Sequence, residues 1–123
     1  MRQKLENRLY DTEYRFMEII WEHAPVRSGE LVKLSKEALG WKKSTTYTMI
    51  KRLSEKGYIV NEDAVVSVLI QKEECQQAES KEVIEKNFSG SLPSFVAAFL
   101  RGNKLSDDDA ARIKNMIDDY QKK

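Results

Sequence analysis

The stretch WKKSTTYTMIKRLSEKG, residues 41–57, has the pattern of an amphipathic helix that begins at Ser44 and runs to Lys56. Successive residues of a helix turn by about 100°, which places the core-facing residues on one side: Thr46, Met49, Ile50 and Leu53. The opposite face carries hydroxyl groups, a phenol and two cations, on Ser44, Thr45, Tyr47, Thr48, Lys51 and Arg52. Serine and threonine are poor helix formers, so a helix face rich in them indicates a binding surface.

Two further helices precede this stretch, and their spacing predicts a helix–turn–helix. We expect the first helix to begin with Asp11 as its N-cap, to carry Glu13 in its first turn and to stop at Pro25. We expect the second helix to begin with Ser28 as its N-cap and to end at Gly40. Gly40 and the few residues after it then join two helices, which is the spacing of a helix–turn–helix.

A hairpin is predicted directly after the third helix. Residues 58–60 and 65–70 are rich in β-branched and aromatic side chains and read as two strands, with residues 61–64 as the turn between them. Residues 26–27 are expected to be a short extended link. Three helices followed by a hairpin, in this order, describe a winged helix–turn–helix domain.

The rest of the chain is predicted to be helical, with a long polar helix over residues 72–88, an apolar helix from Pro93 to Gly102 and a last helix capped by Ser106. These helices have too little apolar surface to form a core alone. Their apolar faces need a partner, which is either the winged domain or a second copy of the chain. The break at residues 89–91 and the very apolar segment after it favour a homodimer. The predicted dimer contacts are Ile84, Phe88, Phe95, Phe99, Ile113, Ile117 and Tyr120.

Composition agrees with a small folded protein of this kind. The chain has 123 residues and a mass of 14.3 kDa, with 41% hydrophobic and 33% charged residues, which favours a packed core over disorder. The predicted fold is mostly α, with a winged helix–turn–helix domain over residues 1–71 and a helical dimerisation domain over residues 72–123. The lone Cys75 and the absence of an apolar signal at residues 1–4 predict a cytoplasmic protein.

The formal net charge of +1 hides an asymmetry between the two halves of the chain. Residues 1–57 contain 12 Lys and Arg against 8 Asp and Glu, whereas residues 58–123 contain 9 against 12. A basic cluster on a helix–turn–helix is the pattern expected of a nucleic-acid contact. Short hydroxyl side chains let a helix approach base edges and phosphates closely, and Lys42 and Lys43 precede the helix where they can reach the DNA backbone. The alternative is a winged-helix module whose third helix docks a protein and does not bind DNA.

Several separated motifs resemble the penicillinase-repressor family (the BlaI/MecI/CopY group). They cover roughly residues 9–121 and lie in the order that the family shows: YDTEY at 10–14, IWE at 20–22, PV at 25–26, WKKSTTYTMIKRL at 41–53, KG at 56–57, GSL at 90–92 and LSDD at 105–108. The resemblance implies a dimeric repressor that binds inverted-repeat operators in double-stranded DNA through the third helix. It also implies dimerisation through the C-terminal helices.

The sequence departs from the family at the features that respond to signals. Copper-responsive members bind metal through a C-terminal cysteine cluster, but Cys75 stands alone here. In β-lactam-responsive members, a protease cuts an Asn-Phe bond shortly after a Ser-Lys pair. Here Ser80-Lys81 is followed by Glu82-Val83, and an Asn87-Phe88 pair comes five residues later than the family's register. The resemblance implies a regulatory protease as a partner, but this sequence departs from the family's cleavage register. The wing, residues 61–70, contains no basic or aromatic residue and includes two acids, so we expect the third helix to dominate phosphate contact.

The remaining reactive side chains have plain structural interpretations. His23 is the only histidine, and it completes neither a metal site nor a nucleophile–base pair with other residues. Cys75 is interpreted as a small apolar residue of the long helix rather than as a redox sensor. We therefore expect no enzyme activity, no cofactor, no metal and no small-molecule substrate.

Overall fold

The computed structural model describes residues 8–122. Residues 1–7, which the predicted first domain includes, and Lys123 lie outside the described residues. The described part contains six helices and three short strands, so the prediction of a mostly α fold is confirmed. The helices are α1 (Asp11–His23), α2 (Ser28–Leu39), α3 (Lys43–Glu55), α4 (Lys72–Phe88), α5 (Leu92–Gly102) and α6 (Asp107–Gln121). The strands are β1 (Val26–Arg27), β2 (Ile59–Glu62) and β3 (Val65–Val68).

The first three helices begin one or two residues earlier than the sequence predicted. Asp11 and Ser28 are the first residues of their helices, and Ser44 is the second residue of α3, so these three are not N-caps. The capping positions belong to Tyr10, Arg27 and Lys42, which have extended backbones and no side-chain cap bond. The predicted cap at Ser106, by contrast, is confirmed. Ser106 is the N-cap of α6, and its hydroxyl accepts the backbone N–H of Asp109 at 3.0 Å as expected.

The three strands form one antiparallel sheet in the order β1-β3-β2. The link at residues 26–27 is therefore a strand, since Val26 pairs with Val66. The turn between β2 and β3 is shorter than predicted, because Asn61 and Glu62 pair with Val66 and Val65. Only two residues remain in the turn, Asp63 and Ala64, with φ angles of 52° and 63°. Two successive positive φ values are typical of the tight turn that matches the twist of a hairpin.

The core lies where α1, α2, α3 and the sheet meet. Its largest fully buried apolar side chains come from all of these elements: Phe16, Met17, Ile20, Leu31, Leu53, Ile59 and Val66. The predicted core face of α3 is confirmed, because Thr46, Met49, Ile50 and Leu53 are all buried. The two tryptophans border this core. The ring centroids of Trp41 and Phe16 lie 5.2 Å apart, and the indole N–H of Trp21 donates to the carbonyl of Ile70 at 2.9 Å.

The chain forms two compact units, of which the first ends at Glu82 and the second begins at Val83. Within residues 83–122 no side chain is fully buried. Large apolar side chains of α5 and α6 are exposed, and the rings of Phe88 and Phe95 contact each other edge to face at 5.5 Å. The domain boundary between residues 71 and 72 stays a prediction. Across residues 8–122, no helix is long and apolar enough to cross a membrane.

Two glycine substitutions give opposite expectations for stability. Gly40 ends α2 with a φ of 71°, and a Cβ there meets no atom within 4 Å, so only backbone strain opposes Gly40→Ala. We expect Gly40→Ala to lower the free energy of unfolding by about 1 kcal/mol. Gly29 lies in the first turn of α2 in equally open space, and Gly29→Ala should raise stability by about 0.5 kcal/mol. Urea unfolding at one fixed protein concentration measures both, and shifts of the same sign would contradict the assigned backbone geometry.

Candidate nucleic-acid interface

One face of α3 and the residue before it form an exposed polar surface, which we call the outer face of α3. All eight residues predicted to contact DNA lie on it and are exposed: Lys42, Lys43, Ser44, Thr45, Tyr47, Thr48, Lys51 and Arg52. At a rise of about 1.5 Å per residue, this surface is about 15 Å long. The buried opposite face fixes the rotation of α3 about its axis. The exposure of the outer face therefore follows directly from the apolar pattern.

The N-terminal end of α2 connects the outer face to the wing turn. Ser28 is 4% exposed, and its Oγ lies 3.3 Å from the hydroxyl of Tyr47. The backbone N–H of Ser28 donates to the carbonyl of Ala64 at 2.9 Å. Ser28 was interpreted from the sequence only as a helix cap. Its contacts join residues 28, 47 and 64, which no local sequence pattern relates.

A buried carboxylate lies beneath the C-terminal end of α3. Glu13 has no exposed surface, and its Oε1 accepts from the Nζ of Lys56 at 2.7 Å and from the backbone N–H of Tyr10 at 2.7 Å. The Nζ of Lys56 also donates to the carbonyl of Arg8 at 2.9 Å and lies 4.6 Å from the centroid of the Tyr10 ring. Lys56 therefore points inward and does not add to the exposed charge of the outer face of α3. The Oε2 of Glu13 faces the Nη1 of Arg52 at 4.0 Å.

The burial of Glu13 could have been predicted from its spacing in the sequence, but the sequence analysis above did not predict it. Glu13 was interpreted as a favourable charge in the first turn of a helix. It also stands three, four and seven residues before Phe16, Met17 and Ile20, all of which are fully buried. Spacing of this kind places residues on one helix face, and an acid on a core face requires a cationic or hydrogen-bonding partner.

The wing is acidic and solvated in the structure. Residues 61–64 are exposed, and they carry the carboxylates of Glu62 and Asp63 but no cation. The backbone of the wing is nonetheless well held, because β3 pairs with both β1 and β2. The charge of the hairpin thus opposes a polyanion, while the outer face of α3 attracts one.

A concave region lies within the first unit and has a volume of about 700 Å³. It is lined by residues 55–58, 70, 74–75, 77–79 and 81–82. Cys75 lies on this lining but is 3% exposed. Burial raises the pKa of the Cys75 thiol and also that of the neighbouring Tyr58 phenol. These directions oppose the low-pKa, accessible thiolate that a redox sensor requires.

The single histidine lies at the end of the first helix. His23 is the last residue of α1 and is exposed, with its Nδ1 2.9 Å from the carbonyl oxygen of Ile19. Among residues 8–122, no group of three or more His, Cys, Asp or Glu side chains could hold a metal ion.

The winged helix–turn–helix fold and the exposed outer face of α3 define the class of winged-helix transcriptional regulators. More specifically, the chain belongs to the penicillinase repressor family, whose sequence profile matches residues 9–119. This family consists of transcriptional repressors and not of enzymes, and the predicted resemblance is confirmed.

Two kinds of curated relative match nearly the whole chain. The penicillinase repressor of Bacillus licheniformis is 24% identical over 115 residues, which cover 90% of each chain. The methicillin resistance regulatory protein MecI of Staphylococcus aureus (strain Mu50 / ATCC 700699) is 26% identical over 120 residues, covering 92% of this chain and 98% of the relative. MecI of Mammaliicoccus sciuri is 25% identical with the same coverage.

The environment of Cys75 gives a prediction about its reactivity. Because burial raises the pKa of the thiol and leaves it 3% exposed, we expect alkylation by iodoacetamide at pH 8 to be at least about tenfold slower than in the unfolded chain. The rate should rise with pH, since a raised pKa delays thiolate formation to more alkaline solution. Mass spectrometry with and without 8 M urea (about that concentration suffices for unfolding) measures both rates. Equal rates in the native and unfolded protein would contradict this assignment of Cys75.

Proposed function

We propose that the protein is a repressor that binds a specific inverted-repeat operator in double-stranded DNA as a homodimer. The observation that carries this proposal is the outer face of α3, on which hydroxyl groups and cations are exposed together in a helix–turn–helix of a repressor family. Repression would follow from occlusion of a promoter.

Each part of the outer face has a distinct proposed role. Thr45, Thr48, Lys51 and Arg52 enter the major groove, where hydroxyl groups, ammonium and guanidinium can bond base edges. The N-terminal end of α3 is proposed to contact the phosphate backbone through Lys42, Lys43, Ser44 and Tyr47, because cations, hydroxyl groups and a helix N-terminus all favour phosphate. The acidic wing is proposed to stay away from the phosphates.

The second unit supports the homodimer. In α5 and α6, large apolar side chains remain exposed, among them Phe99 at 48% and Ile117 at 52%. Monomeric proteins rarely leave so many apolar groups in contact with water. A second copy covers them by a two-fold contact between identical surfaces, and a two-fold dimer matches an inverted repeat. The proposed contact residues are half-buried or exposed within one copy: Ile84, Phe88, Phe95, Phe99, Ile113, Ile117 and Tyr120.

The acidic wing favours one alternative function, a winged-helix module that docks another protein without DNA. The two functions differ in their response to salt. A protein that neutralises several phosphates loses DNA affinity steeply between about 50 and 200 mM salt, whereas docking through apolar groups does not weaken in this way.

Relief of repression by a protease stays a prediction, as does a cytoplasmic location. Asn87-Phe88 forms the last two residues of α4, where a protease would have to unwind a helix turn.

Selection of binding sites from random double-stranded DNA tests the proposal. We expect the recovered sites to share an inverted repeat, and we expect affinity for them to fall by at least about 100-fold between 50 and 200 mM salt. Recovery of no common sequence would contradict sequence-specific binding. DNA affinity independent of salt would contradict contact with several phosphates, and no DNA binding even at about 50 mM salt would favour the protein-docking alternative.

A charge placed in the proposed dimer contact should separate the copies. We expect Phe99→Glu to give monomers in sedimentation at micromolar concentration and to weaken operator binding, because two half-sites are then no longer held by one particle. Arg101→Glu, an exposed polar position on the same helix, is the matched control and should leave the dimer intact. A wild-type monomer, or a dimeric Phe99→Glu variant, would contradict this interface.

A further inference from the structure

We propose that Glu13 is a positioning residue for DNA binding, which holds the guanidinium of Arg52 in place at the outer face of α3. This inference rests on the proposed function, since it concerns how the same surface is prepared for DNA. Glu13 has no exposed surface and therefore cannot touch DNA itself. Any effect of this side chain on operator binding must pass through a neighbour.

The two oxygens of the Glu13 carboxylate have different surroundings. Oε1 accepts two hydrogen bonds, one from the Nζ of Lys56 and one from the backbone N–H of Tyr10, each at 2.7 Å. Oε2 is buried and has no hydrogen-bond partner among the described residues. A buried oxygen of a carboxylate that accepts no hydrogen bond is unfavourable. The cation that Oε2 faces is Arg52, whose Nη1 lies 4.0 Å away.

Lys56 and Arg52 both face the Glu13 carboxylate, but they differ in exposure and in hydrogen bonding. The Lys56 side chain is 17% exposed, and its Nζ donates hydrogen bonds to Glu13 and to the carbonyl of Arg8. The Arg52 side chain is 51% exposed, so half of it remains available to a ligand. A guanidinium has five N–H donors in a planar fork, and one edge can face Glu13 while another meets a phosphate or a guanine.

Holding a long side chain in one orientation before binding reduces the freedom it loses on binding. Lys56 compensates the charge of Glu13 locally, so the carboxylate can orient Arg52 without neutralising the outer face. The affinity for DNA therefore depends on a buried acid in the first turn of α1. A purely structural role for Glu13 would lack this dependence on Arg52.

A double-mutant cycle separates the two roles. Glu13→Gln keeps the shape of the side chain and an oxygen for Lys56 but removes the charge that faces Arg52. We expect Glu13→Gln to weaken operator binding by about tenfold and Arg52→Ala by at least as much. The double variant should bind no more weakly than Arg52→Ala, because Glu13 then has nothing to position. In a Lys51→Ala background, by contrast, Glu13→Gln should keep its full tenfold cost.

Glu18→Gln is the matched control, because it removes an exposed carboxylate from the same helix. It should leave operator binding unchanged or slightly tighter, since one negative charge is lost. If Glu13→Gln costs the same factor with and without Arg52, Glu13 only stabilises the fold and the proposal is overturned. An affinity of Glu13→Gln at or above that of Glu18→Gln would overturn it as well.

A measurement on the wild-type protein keeps the test decisive should Glu13→Gln fail to fold. Nitrogen relaxation of the arginine Nε–H groups reports how rigid each guanidinium is. Before DNA is added, Arg52 should have a clearly higher order parameter than the exposed Arg15 of α1, and equal values would overturn the proposal. Its failure is distinguishable from failure of the proposed function. If Arg52→Ala and Lys43→Ala both bind operator like the wild type, the DNA-binding surface itself is misassigned.

Discussion

The buried pair between Glu13 and Lys56 is the interaction on which the placement of α3 depends. It joins the first turn of α1 to the residue that caps the C-terminal end of α3, at 2.7 Å and out of contact with solvent on the carboxylate side. The net contribution of such a pair to stability is small, because desolvation of two charges offsets their attraction. Loss of one partner, however, costs about 3–5 kcal/mol, because the other charge stays buried without compensation. The pair therefore selects one arrangement of the two helices more than it stabilises the fold.

Apolar packing alone would allow more freedom here. The core side chains of α1 and α3, such as Phe16 and Leu53, are fully buried but non-directional in their contacts. A hydrogen-bonded charge pair has a fixed distance and direction, so sliding of α3 along α1 would break it. The hydroxyl contact between Ser28 and Tyr47 adds a second polar constraint near the other end of α3. Helix α3 is thus fixed at both ends by polar contacts and along its middle by the core.

Periodicity and residue type were enough to predict the six helices, the hairpin and the exposed side of α3, but not β1, which was expected to be an extended link. The face of α3 follows from Met49, Ile50 and Leu53, because these three positions can be buried together in only one rotation of the helix. The helix starts were predicted less well, because Ser28 and Ser44 are good capping residues whose hydroxyl groups the structure does not use as caps. The contacts of Glu13 with Lys56 and Arg52 join residues about 40 positions apart. No local pattern specifies such partners, although the core spacing of Glu13 shows that one is needed.

The length of the outer face of α3 sets how much DNA sequence the proposed repressor could distinguish. Base pairs stack about 3.4 Å apart. The residues proposed to contact bases run from Thr45 to Arg52, which is about 10 Å along the helix axis, or roughly three base pairs. Two copies would then read roughly six base pairs, and a given set of six occurs by chance once in roughly 4,000 positions, which is many times in a genome offering at least about 10⁶ sites. In this proposal the acidic wing would contribute few further contacts with bases. The identity of the occupied sites would accordingly depend on the bendability and groove width of DNA between the half-sites as much as on the bases that α3 touches.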